Sequence, residues 1–392
     1  MRTVSLLRPS LMTPLQRYAG EELSPSPHII VLGSCKVGNF VVSTPALRGL
    51  RQRFPDAVIG FIGSEVTADF EKAMPEISWR VSWDSSLANA GLLLQQTLAS
   101  KRALHGEVEL AVNLDGFNPV TCTLVPWLEP RFVAGGSLTA NRRAKLPWGM
   151  APQQRFLADP DWNSPAFLER YQGVLDSNYI AELFCHLAYV HQHVDSSQID
   201  LPWQEPGFDV PELLIHCTTA RSAKIWSFHA WAEVIKAVTA SGWRVGLVGS
   251  TAKAQRDSYN SGDGEEWLLR TTNLVDLRGK TSLIQLAGAC RMAQAVVSVD
   301  AGPLHIAAAV GTPTLAVVGN DKDGIGASPI RLWLPRGDHV SRTISEYQCD
   351  RCDQESFKND DCLLEGHPCM AGILAQQVLN WLRPLIKGRS GV

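Results

Sequence analysis

Short apolar runs alternate along this chain with longer stretches in which apolar residues recur at helical spacing. An apolar run at 28–32, a turn rich in glycine and serine, helical spacing and a second apolar run at 58–62 predict a β-α-β unit. A helix over 87–104 and a strand over 108–116 continue the pattern. Continuous apolar strands separated by helices are typical of parallel sheets covered on both faces. The first half therefore predicts a parallel α/β domain.

The same pattern begins again in the second half, after the proline-punctuated stretch 199–211. Before that stretch, the apolar residues of 141–167 follow neither helical nor strand spacing, which predicts loops. Helical spacing returns in 177–194. The predicted elements of the second half are strands over 212–220, 243–250, 295–300 and 312–319 and helices over 228–242, 282–294 and 303–310. Two consecutive β/α domains joined by a linker account for this order.

We predict an N-terminal domain over 1–205, with an extension over 1–27, and a C-terminal domain over 206–370. A cysteine cluster within 349–369 ends the second domain. A final amphipathic helix within 371–392 is then expected to pack back on the N-terminal domain.

The composition agrees with two globular domains and argues against several classes of protein. A chain of 392 residues, 45% hydrophobic and 19% charged, exceeds the size at which one core normally divides. Because 39 acidic residues balance 36 basic ones, no positive surplus is available to grip nucleic acid. No apolar run approaches the roughly 20 residues of a membrane helix, and the amino terminus lacks the apolar block of a secretory signal. We expect a cytoplasmic protein with at most peripheral membrane contact.

The turn in "SVDAGPLHIAAAVG" (298–311) carries the first candidate chemistry. Asp300 ends a predicted strand, and ligands of open α/β sheets bind at the carboxyl ends of strands. Gly302 permits a close backbone approach, and Pro303 suits a first helical turn. Two interpretations of Asp300 stay open, a ligand contact and a helix N-cap. His305 is likewise either a ligand contact or a satisfied structural histidine.

Four cysteines within 21 residues form a second candidate site. A CxxC pair is followed by two more cysteines and a nearby histidine, which supplies the ligand types of a tetrahedral metal site. Disulfides do not persist in the cytosol, so we expect either a structural zinc or iron ion or four reduced thiols without a metal. The expected ligands are Cys349, Cys352, Cys362 and Cys369.

Four stretches of the chain resemble the family 9 glycosyltransferases, the heptosyltransferase group. They are "LGSCKVGNFVVSTPALRGLRQRFPDA" (32–57), "HCTTARSAKIW" (216–226), "LRGKTSLIQLAGACRMAQAVVSVD" (277–300) and "DAGPLHIAAAVGTPTLAVVG" (300–319). They follow one another in the family's order across both domains. The resemblance implies a GT-B fold, with two Rossmann-like domains facing a central cleft and a nucleotide-sugar donor held mainly by the C-terminal domain.

The resemblance also implies roles for single residues in donor binding. Lys224 would contact the donor diphosphate together with two threonines, and a turn glycine, an aspartate and a histidine would hold sugar and phosphate. A lysine and hydroxyls can stabilise a leaving pyrophosphate without a metal, so we expect no cofactor for catalysis. Trp226 is expected to fix the loop by packing. The donor-site residues are Thr218, Thr219, Lys224, Asp300, Gly302 and His305.

Two departures from the family pattern affect the expected chemistry. The chain has Gly38-Asn39 where the family has Gly-Asp, and asparagine cannot act as the general base. Asp115, which follows a predicted strand, is our candidate replacement, with a turn aspartate before Gly116 as the alternative. Lys253 lies near the position of a family glutamate that reads the nucleoside, so the donor, ADP-heptose by default, stays open.

The resemblance implies an inverting glycosyltransferase that moves a heptose or related sugar from a nucleotide-diphosphate sugar to a hydroxyl acceptor. The acceptor is a glycan such as the lipopolysaccharide core, a natural product or a protein side chain. Two alternatives stay open. One is a GT-B nucleotide-sugar epimerase, and the other, favoured by Asn39, is a catalytically reduced nucleotide-sugar-binding protein of the same fold.

Overall fold

A computed structural model describes residues 14–84, 90–161, 165–319, 330–347, 349, 351–354 and 360–388. Parts of several predicted segments lie outside the described residues. They are the start of the extension (1–13), the start of a helix (87–89), part of the loop region (162–164), part of the cysteine segment (350 and 355–359) and the end of the chain (389–392).

The first half forms a parallel sheet in the order β1-β6-β5-β2-β3-β4. Its strands are β1 Gln16–Arg17, β2 His28–Leu32, β3 Val58–Gly63, β4 Trp79–Ser82, β5 Leu110–Asn113 and β6 Phe132–Gly135. The helices of this half are α1 Val37–Arg53, α2 Ala68–Ala73, α3 Ala90–His105, α4 Pro119–Leu124, α5 Pro152–Arg155, α6 Pro165–Arg170 and α7 Ile180–Leu187. All five residues of β2 are buried, as expected for a central strand of a parallel sheet.

The second half forms another parallel sheet, in the order β12-β11-β10-β7-β8-β9. Its strands are β7 Leu213–His216, β8 Val245–Leu247, β9 Leu274–Asp276, β10 Ala295–Val299, β11 Thr314–Val317 and β12 Val340–Thr343. Its helices are α8 Phe228–Ala240, α9 Ala252–Ser258, α10 Gly264–Thr271, α11 Leu283–Met292, α12 Gly302–Ala309, α13 Ile330–Trp333, α14 Arg351–Gln354, α15 Pro368–Ala371 and α16 Ala375–Lys387. The predicted α/β class is confirmed.

The chain divides into two compact units that differ from the predicted domains. The first unit comprises 1–35, 46–160 and 183–195, and the second comprises 36–45, 161–182 and 196–392. The predicted single boundary near 205 therefore misses three short segments of the amino-terminal half that group with the second unit, 36–45, 161–182 and 196–205. One of them is the first part of α1.

Helix α16 packs within the second unit, whereas we predicted that it packs back on the N-terminal domain. Val378 and Leu382 of α16 are completely buried in one apolar cluster with Trp231 and Val238 of α8. The apolar stripe of an amphipathic helix must be covered, and the apolar side of α8 offers a matching surface. The structure thus corrects this prediction.

Candidate active site

The carboxyl edge of the second sheet brings together two motifs that lie far apart in the sequence. Strands β7 and β10 are neighbours, with Ile215 opposite Val297. After β7 the chain forms the lysine turn, residues 221–226, and after β10 it continues directly into Asp300. The Lys224 ammonium donates a hydrogen bond to the Asp300 carboxylate in an ion pair whose side chains are 24% and 10% exposed. The two predicted residues therefore form one charged site.

The Asp300 carboxyl is held in its ionised form. Burial alone would raise its pKa, but the Lys224 ammonium and the His305 ring lower the pKa well below its usual range. The alternative interpretation as an N-cap is wrong, because Ala301 occupies the N-cap position of α12. Asp300 instead directs its charge towards the side chains beside it.

His305 is buried within α12, one turn beyond the start of the helix. Its Nε2 lies 3.7 Å from a carboxylate oxygen of Asp300. Its Nδ1 is buried without a hydrogen-bond partner among the described residues. A buried polar atom without a partner is costly, so this nitrogen is a natural contact for a ligand.

Two glycines of the second unit permit close packing around this site. A Cβ atom on Gly38, in the first turn of α1, would lie 2.7 Å from Cδ2 of His305. A Cβ atom on Gly302 would lie 3.1 Å from the Cβ of Val37. The lack of a side chain at Gly302, which we assigned to ligand approach, therefore also permits packing against α1. Asn39, half-buried, follows Gly38 in the same turn of the helix.

The Thr218 side chain is committed to a buried network. Its hydroxyl accepts a hydrogen bond from Nε2 of Gln255 at 2.8 Å and donates to a carboxylate oxygen of Glu265 at 3.3 Å. The other Glu265 oxygen lies 3.0 Å from the Arg278 guanidinium in a buried ion pair. Thr218 is completely buried, so its hydroxyl is not available to a ligand. Thr219, also predicted, is buried with its carbonyl accepting from Nδ2 of Asn260 at 3.2 Å.

The sequence analysis missed Gln255, Glu265 and Arg278. It pointed to Lys253 in this region, which is exposed on α9. The burial of the three missed residues comes from contacts among α9, α10 and the segment after β9, and helical spacing within one element does not reveal such contacts.

Trp226 confirms its predicted packing role. It is completely buried, meets Trp231 edge to face with ring centroids 4.9 Å apart, and donates its indole N–H to the Ile373 carbonyl at 2.9 Å. These contacts fix one end of the lysine turn.

Asp115 lies in the first unit, two residues after β5. Its carboxylate accepts from Nδ2 of Asn118 at 3.0 Å, and its carbonyl accepts from the Thr121 hydroxyl at 2.8 Å. Asn118 in turn caps α4. The turn interpretation thus has structural support, while the half-buried carboxylate leaves the general-base prediction open.

Comparisons with known proteins agree with this arrangement. Residues 176–359, which include the lysine turn and α12, match the family model of glycosyltransferase family 9 (heptosyltransferase). Lipopolysaccharide heptosyltransferase 2 of Escherichia coli (strain K12) is 24% identical over 369 residues, which cover 91% of this chain and 98% of the relative. The chain is a glycosyltransferase that resembles family 9.

Solved structures establish the GT-B fold of this glycosyltransferase. A glycosyl transferase family 9 protein from Veillonella parvula DSM 2008 has a TM-score of 0.65 at 16% identity, covering 92% of this chain and 97% of its own. The dodecameric iron-containing heptosyltransferase TibC of enterotoxigenic E. coli H10407, in complex with ADP-D-β-D-heptose, has a TM-score of 0.57 at 14% identity. That match covers 94% of this chain and 78% of TibC.

The cysteines of the glycosyltransferase are all free thiols. In the described part of the chain, no three His, Cys, Asp or Glu side chains are arranged as ligands of one ion. The predicted cysteine ligands nevertheless lie near one another. Burial, together with the nearby Cys362, Cys349 and Cys352, raises the pKa of the Cys369 thiol to about 11.

The classes of partner follow from glycosyltransferase activity. A glycosyltransferase takes a nucleotide-sugar donor and a glycan acceptor. Within the described ranges, no helix combines the length and hydrophobicity needed to cross a membrane.

Proposed function

We propose that this glycosyltransferase transfers a heptose or related sugar, with inversion, from a nucleotide-diphosphate sugar to a hydroxyl acceptor. The observation that carries the proposal is the ion pair between Lys224 and Asp300 at the carboxyl edge of β7 and β10. A partly exposed ammonium held at this edge is suited to a diphosphate. ADP-heptose is our default donor, supported by the ADP-heptose bound to TibC.

In this scheme Lys224 neutralises the charge that develops on the leaving diphosphate. Asp300 holds Lys224 in place and accepts hydrogen bonds from sugar hydroxyls. His305 offers to the sugar or phosphate its Nδ1, which has no hydrogen-bond partner in the part of the chain that the structure describes. Backbone groups of Thr219 and Gly302 complete the donor contacts. We now assign Thr218 a positioning role, because its hydroxyl is bonded inside the domain.

The transfer step needs a proton acceptor. The acceptor oxygen attacks the anomeric carbon, the bond from that carbon to the diphosphate oxygen breaks, and the acceptor proton passes to a base. No cofactor takes part in this scheme. Asp115 is our candidate base, and Asn39 is assigned to orienting the acceptor hydroxyl through its amide.

The acceptor is proposed to be a glycan hydroxyl, with the lipopolysaccharide core as the first choice because the relative at 24% identity is named for it. Natural-product and protein hydroxyls are tested alongside. The free thiols of the cysteine cluster suit a reducing compartment, so we place the reaction in the cytoplasm.

We also propose that the cysteine cluster holds one structural zinc or iron ion. Four thiolates match the ligands that both metals prefer, and TibC, which contains iron, shares the fold. The ligands would be Cys349, Cys352, Cys362 and Cys369. Elemental analysis of purified protein should find close to one ion per chain, and a fully folded, metal-free preparation would refute the site.

A thermal-shift screen tests the donor. Nucleoside diphosphates and their sugars are added separately, and the preferred one should raise the Tm by mass action. Mass spectrometry of the products then separates the candidate functions. A new glycoside supports transfer, an epimerised nucleotide sugar supports the epimerase alternative, and binding without turnover on any tested acceptor supports the binding-protein alternative.

A further inference from the structure

The lysine turn is bonded to the segment 360–373, here called the brace. The Ala223 amide donates to the Asp360 carbonyl at 3.0 Å. The Ser222 hydroxyl donates to the same carbonyl at 3.3 Å and to the Asp361 carboxylate. These bonds tie the start of the turn to a segment more than 130 residues further along the chain.

His367 completes this attachment. Its Nε2 lies 2.8 Å from the Ala223 carbonyl, and a carbonyl can only accept, so Nε2 carries the proton and donates it. Both backbone polar groups of Ala223 therefore end on the brace. His367 adopts a left-handed backbone conformation with φ 49°, which is uncommon for a residue other than glycine. Such a conformation persists where the surroundings hold it.

The far end of the turn is fixed as well. Trp226 donates its indole N–H to the Ile373 carbonyl, the last residue of the brace, at 2.9 Å. Lys224 lies between these two attachments, one residue after Ala223. Its ammonium group sits on a flexible four-carbon stem, so the turn's backbone decides where the charge can reach.

We propose that the brace positions Lys224 for the donor diphosphate and that His367 is a positioning residue of the transfer reaction. The inference rests on the proposed donor site. Because the turn is ordered before a ligand arrives, less freedom is lost on binding, and affinity rises without any contact between the brace and the donor.

Hydrogen exchange tests the attachment directly. His367→Ala removes the donor to Ala223, whereas His367→Gln keeps an N–H at a similar reach. Amides in 221–226 should exchange about tenfold faster in the alanine variant, while the glutamine variant stays close to the parent. Unchanged exchange of these amides in His367→Ala would refute the proposal that the brace orders the lysine turn.

Calorimetry with ADP then tests whether His367 acts through Lys224. We expect His367→Ala to weaken ADP binding about fivefold in the parent and not at all in the Lys224→Ala background, as for coupled neighbours. An equal loss in both backgrounds overturns the positioning role. If Lys224→Ala leaves ADP affinity unchanged, the donor site itself fails. If only the His367 variant has no effect, the donor site stands and the brace fails.

His28 provides a matched control. Its ring also bonds to a backbone carbonyl, that of Gly106 at 3.1 Å, but in the first unit. His28→Ala should lower stability without changing ADP affinity. A similar loss of ADP affinity in this control would show that general loosening explains the His367 result, and would overturn the proposal.

Discussion

Five strands of the first sheet, β6-β5-β2-β3-β4, have the same order as β11-β10-β7-β8-β9 of the second, but the two carboxyl edges differ in chemistry. Strand β5 lies beside the central strand β2 as β10 lies beside β7. Asp115 and Asp300 therefore follow topologically equivalent strands. Asp300 bonds to a lysine from the neighbouring turn, whereas Asp115 bonds to Asn118 of its own turn. The shared strand order places an aspartate at each carboxyl edge, but the side chain that each aspartate bonds to is different.

This comparison favours a division of labour. In the scheme proposed above, the partly exposed Lys224 ammonium contacts the donor diphosphate, while Asp115 takes the proton of the acceptor hydroxyl. The four predictions below test that division.

Breaking the charged pair of the second unit should have the largest effect. Asp300→Ala leaves the partly buried Lys224 ammonium without its partner, and we expect kcat/KM to fall by about a thousandfold, the upper end of the range for losing one preorganised electrostatic contact in an active site. Urea denaturation should show a smaller loss of stability. Asp300→Asn serves as the control of similar shape, and its kcat/KM should lie between those of the parent and of Asp300→Ala. A parent-like rate in a folded Asp300→Ala variant would remove Asp300 from the site.

Acid should destabilise the first unit before it breaks the pair in the second. His186 stacks on His191 with centroids 3.9 Å apart, and burial, followed by the His191 charge, lowers its pKa from 6.5 to about 4. As the pH falls, His186 therefore takes up its proton at a higher pH in the unfolded chain than in the folded chain. The free energy of unfolding should fall by about 3 kcal/mol as the pH drops from about 6.5 to 4.

The Lys224–Asp300 pair stabilises the fold at every pH above the usual carboxyl range. Because the pKa of Asp300 is lowered well below that range, this stabilisation is lost only at pH values below the window in which His186 titrates. Denaturation of His186→Phe, which keeps an aromatic ring next to His191, should show a flatter pH dependence. An identical slope in the variant would assign the acid sensitivity elsewhere.

The equivalent aspartate of the first unit should matter for turnover and not for donor binding. If Asp115 is the base, Asp115→Asn lowers kcat on the order of 100-fold with ADP affinity intact. Asn118→Ala, which breaks the turn bond, should change stability more than rate. Asn39→Asp should alter the rate only modestly. A large gain from Asn39→Asp, with an indifferent Asp115→Asn, would favour the binding-protein alternative.

Removing the positive charge should weaken the donor site by a smaller amount. Lys224→Ala is expected to cost about 2 kcal/mol in ADP binding, since one charge-assisted contact is lost. Calorimetry measures this cost, with Lys236→Ala on the exposed face of α8 as the matched lysine control. Equal affinities in both variants would exclude Lys224 from diphosphate binding.

The strands and the position of Asp300 could be predicted from the sequence because each depends on residues that lie close together in the chain. Strand β2 begins and ends where its apolar run predicts, and Asp300, predicted as the last residue of its strand, directly follows β10. Helix α7 is shorter than its periodic stretch, because Tyr189 takes a left-handed conformation that ends the helix. The Val190 amide bonds back to the Cys185 carbonyl there, and helical spacing alone does not reveal such an end.

Contacts between distant segments could not be predicted in the same way. The network around Thr218 joins residues from three separate elements, so the threonine motif looked like a ligand contact. The brace is another example, because nothing near His367 in the sequence indicates that Ala223 is its partner. In both cases a short motif marked the region of the site and not the role of each side chain.

The packing of α16 on α8 has a consequence for genetics. Every residue assigned to the donor precedes α16, so an early stop codon at 375 would leave the complete set of binding motifs in the message. The product would nevertheless expose Trp231 and Val238, which α16 helps to cover. Chaperones bind newly exposed apolar surface of this kind, and proteases degrade the protein that carries it. Such an allele would therefore behave as a loss-of-function allele although its active-site codons are intact.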